Sequence, residues 1–215
     1  MAFLTPTLHN FNLLKKVLFN GEPIILPTDT NYNLCCLPDS TDAIDKIFAF
    51  KKRPKNKPLS LFFSDPNDWK MFGSTPQKVL MDQLTTEFWP GPLNIIIDNQ
   101  TNFSYMLNNS STIALGCLQN KTFRDFSKFL GLPLAITSAN ISGTADDLLI
   151  TKEVAALHMG TKVKYLLISQ EENTTSMSST IVKLDTAGIS LVREGDLKFD
   201  TILATLERGN NQFEK

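Results

Sequence analysis

Residues 51–63 read KKRPKNKPLSLFF, and three different kinds of local chemistry meet there. Upstream, Ala43, Ile44, Ile47 and Phe48 recur at helical spacing, so a helix with one apolar side runs into Lys51. Pro54 and Pro58 then exclude helix and stiffen the backbone. Beyond them, LSLFF has the length and apolarity of a buried strand. Between helix and strand stand Lys51, Lys52, Arg53, Lys55 and Lys57, with no acid among them. A helix, a stiff basic turn and a strand in succession are a unit of an α/β sheet. Fixed positive charge beside a sheet edge suits a polyphosphate. Arg53 offers a planar fork for phosphate oxygens, and Lys51 and Lys57 act as point charges. A lysine-rich loop on its own is more often only a solvated surface, so the run needs company before it means a site.

The same alternation extends in both directions. Thr7 is placed to cap a helix with Leu8, Phe11, Leu14 and Leu18 on its apolar face, ending near Gly21. PIIL (23–26) reads as a strand. PQKVLMDQLTTEF (76–88) is helical, followed by the strands LNIIID (93–98) and TIALGCL (112–118). KTFRDFSKFL (121–130) is a helix, PLAIT (133–137) a strand and KEVAALHM (152–159) a short helix. VKYLLIS, TIVKL and ISLVRE are late strands, close enough together to make part of the sheet antiparallel. The class is α/β: a mixed sheet with helices packed against it. The polar stretches 98–111 and 169–179 read as loops able to serve as flaps.

Composition narrows the partners. The chain has 215 residues, 42% hydrophobic and 20% charged, which suits one domain with a real core. A formal net charge of -1 argues against a general nucleic-acid coat or a polybasic membrane binder. The apolar runs are too short to span a bilayer, and the N-terminus lacks the pattern of a secretory signal. The odd, partly adjacent set Cys35, Cys36 and Cys117 is poor material for disulfides and points to a reducing, cytoplasmic setting. With only His9 and His158 beside them, no zinc-ligand spacing is present, and no metal site is expected. The cysteines have no neighbouring base to activate them, and Trp89 and His158 read as structural.

Two polar stretches follow apolar strands. LPTDTNYNL (26–34) crowds Thr28, Asp29, Thr30, Asn31 and Tyr32 together. TSANISG (137–143) supplies Ser138, Asn140 and Ser142 before Gly143. Each alone is an ordinary polar turn. In order, however, PTDTNYNL, KKRPKNKPL, FWPGPL, TSANISG and SSTIVKL…LVREGDL form a specific set. This set resembles the YrdC family of threonylcarbamoyl-AMP synthases, over about residues 8–198.

The resemblance implies a YrdC-like twisted mixed sheet with helices packed against it and a large concave basic cleft. It implies a nucleotidyl transfer that joins L-threonine, bicarbonate or CO2, and ATP, releases pyrophosphate and forms threonylcarbamoyl-AMP. Mg2+ is expected to accompany the nucleotide. A separate tRNA threonylcarbamoyl transferase would be the downstream partner, with only weak RNA contact by this chain and none with membrane. The motif matches place Lys51, Arg53, Ser138 and Asn140 as the catalytic set, and Lys57, Thr112 and Arg193 beside ATP. They place Thr30, Tyr32 and Ser179 around threonine. The expected organisation is the short kind: a single domain over 1–205 and a polar tail over 206–215.

Four positions, in three motifs, depart from the family pattern. Asn33 stands where the pattern has Gly, and asparagine's tolerance of positive φ would preserve a turn there. Asn94 stands in place of Thr. Gly116 and Leu118 stand where the family has Arg-x-Pro, whose arginine lies at the threonine side; Lys121 and Arg124 are candidate substitute cations. A charged hydrogen bond of that kind is worth about 1.5–3 kcal/mol. The alternative reading is therefore a degenerate paralogue that binds nucleotide or RNA without the synthase reaction.

Overall fold

The computed structural model describes residues 1–144, 149–171 and 175–210. Its strands are β1 (Ala2–Leu4), β2 (Ile24–Pro27), β3 (Tyr32–Cys36), β4 (Ser60–Phe63), β5 (Gly73–Ser74), β6 (Leu93–Asn99), β7 (Thr112–Cys117), β8 (Leu134–Ser138), β9 (Tyr165–Leu167), β10 (Thr180–Asp185) and β11 (Gly188–Arg193). Its helices are α1 (Leu8–Phe19), α2 (Thr41–Lys51), α3 (Trp69–Phe72), α4 (Lys78–Phe88), α5 (Lys121–Leu130), α6 (Lys152–Met159) and α7 (Phe199–Asn210). All the strands join one twisted mixed sheet in the order β1-β9-β2-β3-β8-β4-β7-β6-β10-β11, with β5 paired to β6 off this path.

Local chemistry accounts for the helix bounds. The Thr7 hydroxyl accepts the Asn10 N–H and caps α1, whose Phe11, Leu14 and Leu18 are buried while Leu8 stays exposed. Asn120 caps α5 in the same way through Phe123 N–H, and Gly131, at φ 71°, ends that helix in the left-handed region. The α5 residues Phe123 and Phe126 close a core on one side of the sheet with Phe11, Leu14, Leu26 and Ile136. A larger core on the opposite side gathers Leu34, Leu61, Leu115, Ile95 and Val182 from successive strands.

Of the late strands, β10 and β11 pair antiparallel as expected, while β9 lies at the other end of the sheet, parallel to β1 and β2. Other expectations need correction. LPTDTNYNL is not one continuous turn: its second half is the strand β3, wedged between β2 and β8. Residues 98–111 are no free flap, because β6 extends to Asn99 and Met106 and Leu107 are buried in the core. The expected polar tail from 206 is helical as far as Asn210, the last residue of α7, and its residues 211–215 lie outside the described residues. Of the second candidate flap, 169–179, residues 172–174 lie outside the described residues. Trp89 is buried, its indole N–H donating to Leu93 O, and His158 Nδ1 accepts the Ile141 N–H.

One side chain fixes the end of α2 to the loop after β8. Lys51 is only 1% exposed. Its Nζ donates to the carbonyl oxygens of Ser138 and Asn140 and to Asn140 Oδ1 at 3.2 Å. Its own carbonyl accepts the Ser142 N–H at 2.8 Å. Lys52 then adopts φ 50°, ψ 40°, and this left-handed step turns the chain out of the helix.

Replacing Lys51 with Met keeps the stem but leaves two buried carbonyls without this donor. Urea unfolding should show a loss of about 2–3 kcal/mol, with a lower midpoint and an unchanged m-value; an unmoved midpoint would contradict the tie. The three cysteines are free and buried. Burial pushes the Cys35 and Cys36 thiols well above their ordinary range and Cys117 up to about 12. A disulfide reagent at pH 8 should therefore label none of them in the folded protein and all three in denaturant.

Candidate active site

One face of the sheet floors a cavity of about 370 Å³, a volume that suits a small-molecule site. Strand alternation decides what reaches it. Asn33, Ser138, Ile136, Ser60, Phe62, Asn94, Ile181 and Arg193 point into this face, while Leu34, Ala135, Leu61, Leu115, Ile95 and Val182 enter the core behind. The rim comes from three loops. Residues 28–31 follow β2, residues 53–57 follow α2, and Ser178 and Ser179 precede β10.

The basic turn forms its part of the rim by folding the arginine back on itself. Arg53 Nε donates to Lys57 O and Nη2 to Pro58 O, each at 2.8 Å, and Lys57 N–H donates to Pro54 O. The guanidinium thereby braces the turn while Arg53 and Lys57 line the cavity. Across the cavity, Arg193 holds Ser179 O through Nε at 3.1 Å and Nη2 at 2.8 Å.

The 28–33 segment is knit to its surroundings. Thr28 Oγ1 donates to Asn31 O at 2.6 Å and accepts from Asn31 N–H and from Asn33 Nδ2. The Thr30 hydroxyl lies 3.3 Å from Ser179 Oγ. Asn31 Nδ2 donates to Ser178 Oγ, and its Oδ1 accepts the Ile150 N–H. Asp29 turns away and accepts the N–H groups of Gln119 and Asn120, which anchors the loop to the start of α5. Burial raises the Asp29 carboxyl above its ordinary range, against the lowering effect of those two donors.

The structure brings Thr30, Arg53, Lys57, Ser138, Ser179 and Arg193 together around this cavity. The other four candidates lie elsewhere. Lys51 and Asn140 sit behind the Ser138 turn and hold it. Tyr32 points to the opposite side of β3 from Asn33, and its hydroxyl accepts the Ser169 N–H. Thr112 is at the far end of β7, its hydroxyl 3.2 Å from Ser110 Oγ.

Sequence reasoning noted Asn31 only as part of a polar stretch and passed over Ser60, Phe62, Ser178 and Ile181, all of which line the cavity. For Ser60 and Phe62 the signal was the alternation within LSLFF, but choosing the face required knowing what β4 pairs with. Of the departures from the family pattern, Asn33, Asn94 and Gly116 converge on this same face, while Leu118 is buried in the core beside α5. Asn33 has ordinary extended backbone in β3, so no positive φ is involved. Gly116 is the Cα partner of both Phe62 and Asn94. A β-carbon at 116 would lie 2.6 Å from Phe62 Cε1 and 2.9 Å from Asn94 Oδ1, so those two side chains occupy the space a larger residue would need. Neither Lys121 nor Arg124 lines the cavity; Lys121 pairs with Asp125.

Comparison with known proteins agrees with this architecture. The Sua5/YciO/YrdC domain family, described as "Telomere recombination", matches residues 16–195. A curated protein of Methanocaldococcus jannaschii, provisionally named a threonylcarbamoyl-AMP synthase, is 32% identical over 187 residues, which are 85% of this chain and 84% of the relative. The structure of P. abyssi Sua5 complexed with L-threonine superposes with a TM-score of 0.84 at 20% identity, over 96% of this chain and 61% of that one. E. coli YciO superposes with a TM-score of 0.79 at 17% identity, over 93% of this chain and 97% of that one. This chain therefore spans about three-fifths of the Sua5 chain and nearly all of YciO. The domain match and the Methanocaldococcus relative together show that the chain belongs to the Sua5/YciO/YrdC family.

Proposed function

We propose that this protein is a threonylcarbamoyl-AMP synthase-like enzyme that adenylates a carbamate formed on an amino acid. The observation that carries the reading is the convergence of Arg53, Lys57, Ser138 and Arg193 with Thr30 and Ser179 around one cavity. The name of the Methanocaldococcus relative and the threonine complex of Sua5 support it.

The reaction would run in two steps. The free amine attacks CO2, a C–N bond forms and the amine gives up a proton, leaving an N-linked carbamate. A carbamate oxygen then attacks the α-phosphorus of ATP. The bond from that phosphorus to the bridging oxygen breaks, and pyrophosphate leaves with the electron pair. No covalent enzyme intermediate is needed. The work left to the protein is positioning and the neutralisation of phosphate charge.

Arg53, Lys57 and Arg193 would face the triphosphate, with the Ser138 hydroxyl as a donor to it. Mg2+ would arrive with ATP as part of the substrate. Thr30 and Ser179, whose hydroxyls lie 3.3 Å apart, would border the amino acid. Lys51 and Asn140 act at one remove, as positioning residues that hold the Ser138 turn. The product would serve a tRNA-modifying transferase acting downstream.

The direct test is to incubate the protein with ATP, Mg2+, bicarbonate and L-threonine. Pyrophosphate and threonylcarbamoyl-AMP should appear and should require all of the substrates, with threonine saturating only at high concentration. Stable ATP binding with no pyrophosphate from any amine would favour a nucleotide-binding relative without the reaction.

Arg53→Ala should weaken ATP binding by about 1.5–3 kcal/mol, since it removes a charged phosphate contact and loosens the turn that positions Lys57. Calorimetry that finds the same ATP affinity in this variant would remove the basic turn from the nucleotide site.

A further inference from the structure

The loop that brings Ser178 and Ser179 to the cavity is gripped from two sides. On the inner side it meets the 28–31 loop. Thr175 Oγ1 donates to Asp29 O at 2.9 Å, Asn31 Nδ2 donates to Ser178 Oγ at 3.0 Å, and the Ser179 and Thr30 hydroxyls lie 3.3 Å apart. On the outer side it meets residues 193–197, where the chain leaves β11. Arg193 holds Ser179 O, and Gly195 N–H donates to Thr180 Oγ1 at 2.9 Å. Gly195 packs so closely that a β-carbon there would lie 2.0 Å from Ser178 O and 3.0 Å from the Thr180 nitrogen. Thr180 Oγ1 in turn donates to Leu197 O.

These contacts fix residues 178–180. The residues just before them depend on a different group. Ser176 and Met177 are exposed, and their N–H groups both donate to Asp196 Oδ2, at 2.6 and 3.0 Å. The Ser176 hydroxyl donates to Asp196 Oδ1 at 2.7 Å. Two successive N–H groups turned to one point form a concavity that suits an anion. Hydrogen bonds to a charged acceptor are also about twice as strong as neutral ones. The three donors hold the Asp196 carboxyl below its ordinary range, the Ser176 hydroxyl foremost, and Lys198 adds a smaller attraction. Without that carboxylate both N–H groups would turn to water, and the entry to the 178–180 segment would lose the bonds that aim it.

We infer that Asp196 is a positioning residue: its carboxylate, seated among the donors of Ser176 and Met177, sets where Ser178 and Ser179 stand on the cavity rim. Asp196 does not itself line the cavity and acts only through the loop. Its bearing on substrate rests on the adenylating reading above, in which Ser179 borders the amino acid. Its hold on the loop does not depend on that reading.

The test compares two substitutions in the full chain. Asp196→Ala removes every acceptor. Asp196→Asn keeps an oxygen for the two N–H groups and an amide able to donate to the Ser176 hydroxyl. Amide hydrogen exchange across residues 175–180 should be about ten-fold faster in the Ala variant and should return to within about three-fold of wild type in the Asn variant, with β4 unchanged throughout. Pyrophosphate release with L-threonine is the second measurement. The Ala variant should raise the threonine KM about five-fold or more and leave the ATP KM within about two-fold, and the Asn variant should restore the threonine KM. A mere loss of folded protein would lower kcat and leave both KM values in place. If Asp196→Ala lacks a cooperative thermal transition, Ser176→Ala, which removes one of the three bonds, should shift both measurements in the same direction by less. Unchanged exchange in the Ala variant, or no recovery with Asn, overturns the hold on the loop. Faster exchange with an unchanged threonine KM overturns the positioning role. If the wild type releases no pyrophosphate with any amine, the synthase reading falls, and exchange alone decides the hold on the loop.

Discussion

A buried lysine organises the site without lining it. The Lys51 ammonium binds the carbonyls of Ser138 and Asn140 and the Asn140 side chain, so the C-terminal end of α2 and the loop after β8 behave as one piece. Two things follow from this single anchor. The hydroxyl of Ser138 is held at the edge of the cavity, and the left-handed turn at Lys52 starts the basic loop from a fixed point. A charge withdrawn from water is costly unless its donors are satisfied, and these carbonyls satisfy it. The chain thus spends one charge of the basic run on architecture so that Arg53 and Lys57 are delivered to the rim.

How much of this was legible follows from what each signal encodes. Helical periodicity with a cap is local, so α1, α2, α4 and α5 could be read from Phe11, Ile44, Leu84 and Phe123 with their flanking residues. Apolar runs gave the central strands for the same reason. β3 was hidden because Tyr32 and Asn33 look like turn residues; their extended conformation is imposed by pairing with β2 on one side and β8 on the other. β1 owes its place to β9, more than 160 positions away in sequence, and no local pattern announces such a partner. Propensity in a strand is a statement about its neighbours, and neighbours are what a sequence withholds.

The candidate site shows the same divide at finer grain. Motif matching gathered ten residues, and it could say that they belong near one another but not which face of a strand each would take. Thr30 and Tyr32 are two apart in a segment that changes from loop to strand between them, and they end on different sides of the sheet. Lys51 and Arg53 are also two apart, and the helix end separates them into a structural tie and a rim residue. The departures behaved differently. Asn33, Asn94 and Gly116 are scattered along the chain, and only the pairing of β4, β7 and β6 reveals that two of them touch one another and Phe62.

That contact bears on how such a site can change. The rim residues Arg53, Lys57 and Ser138 are held by α2, the basic turn and the Lys51 anchor. The Phe62–Gly116–Asn94 row is held by the sheet and by the cores on its two faces. The two supports share β4 and β8 but little else. A substitution at 116 can therefore be compensated at 62 or 94, its direct partners, without disturbing the turn that carries the cations. The converse is not true of Lys51, whose loss would move the rim on both of its loops together. Physical coupling in this fold runs along strand rows and through one buried ammonium. One end of the cavity rests on strand pairing, while the end that carries the basic turn hangs on that ammonium.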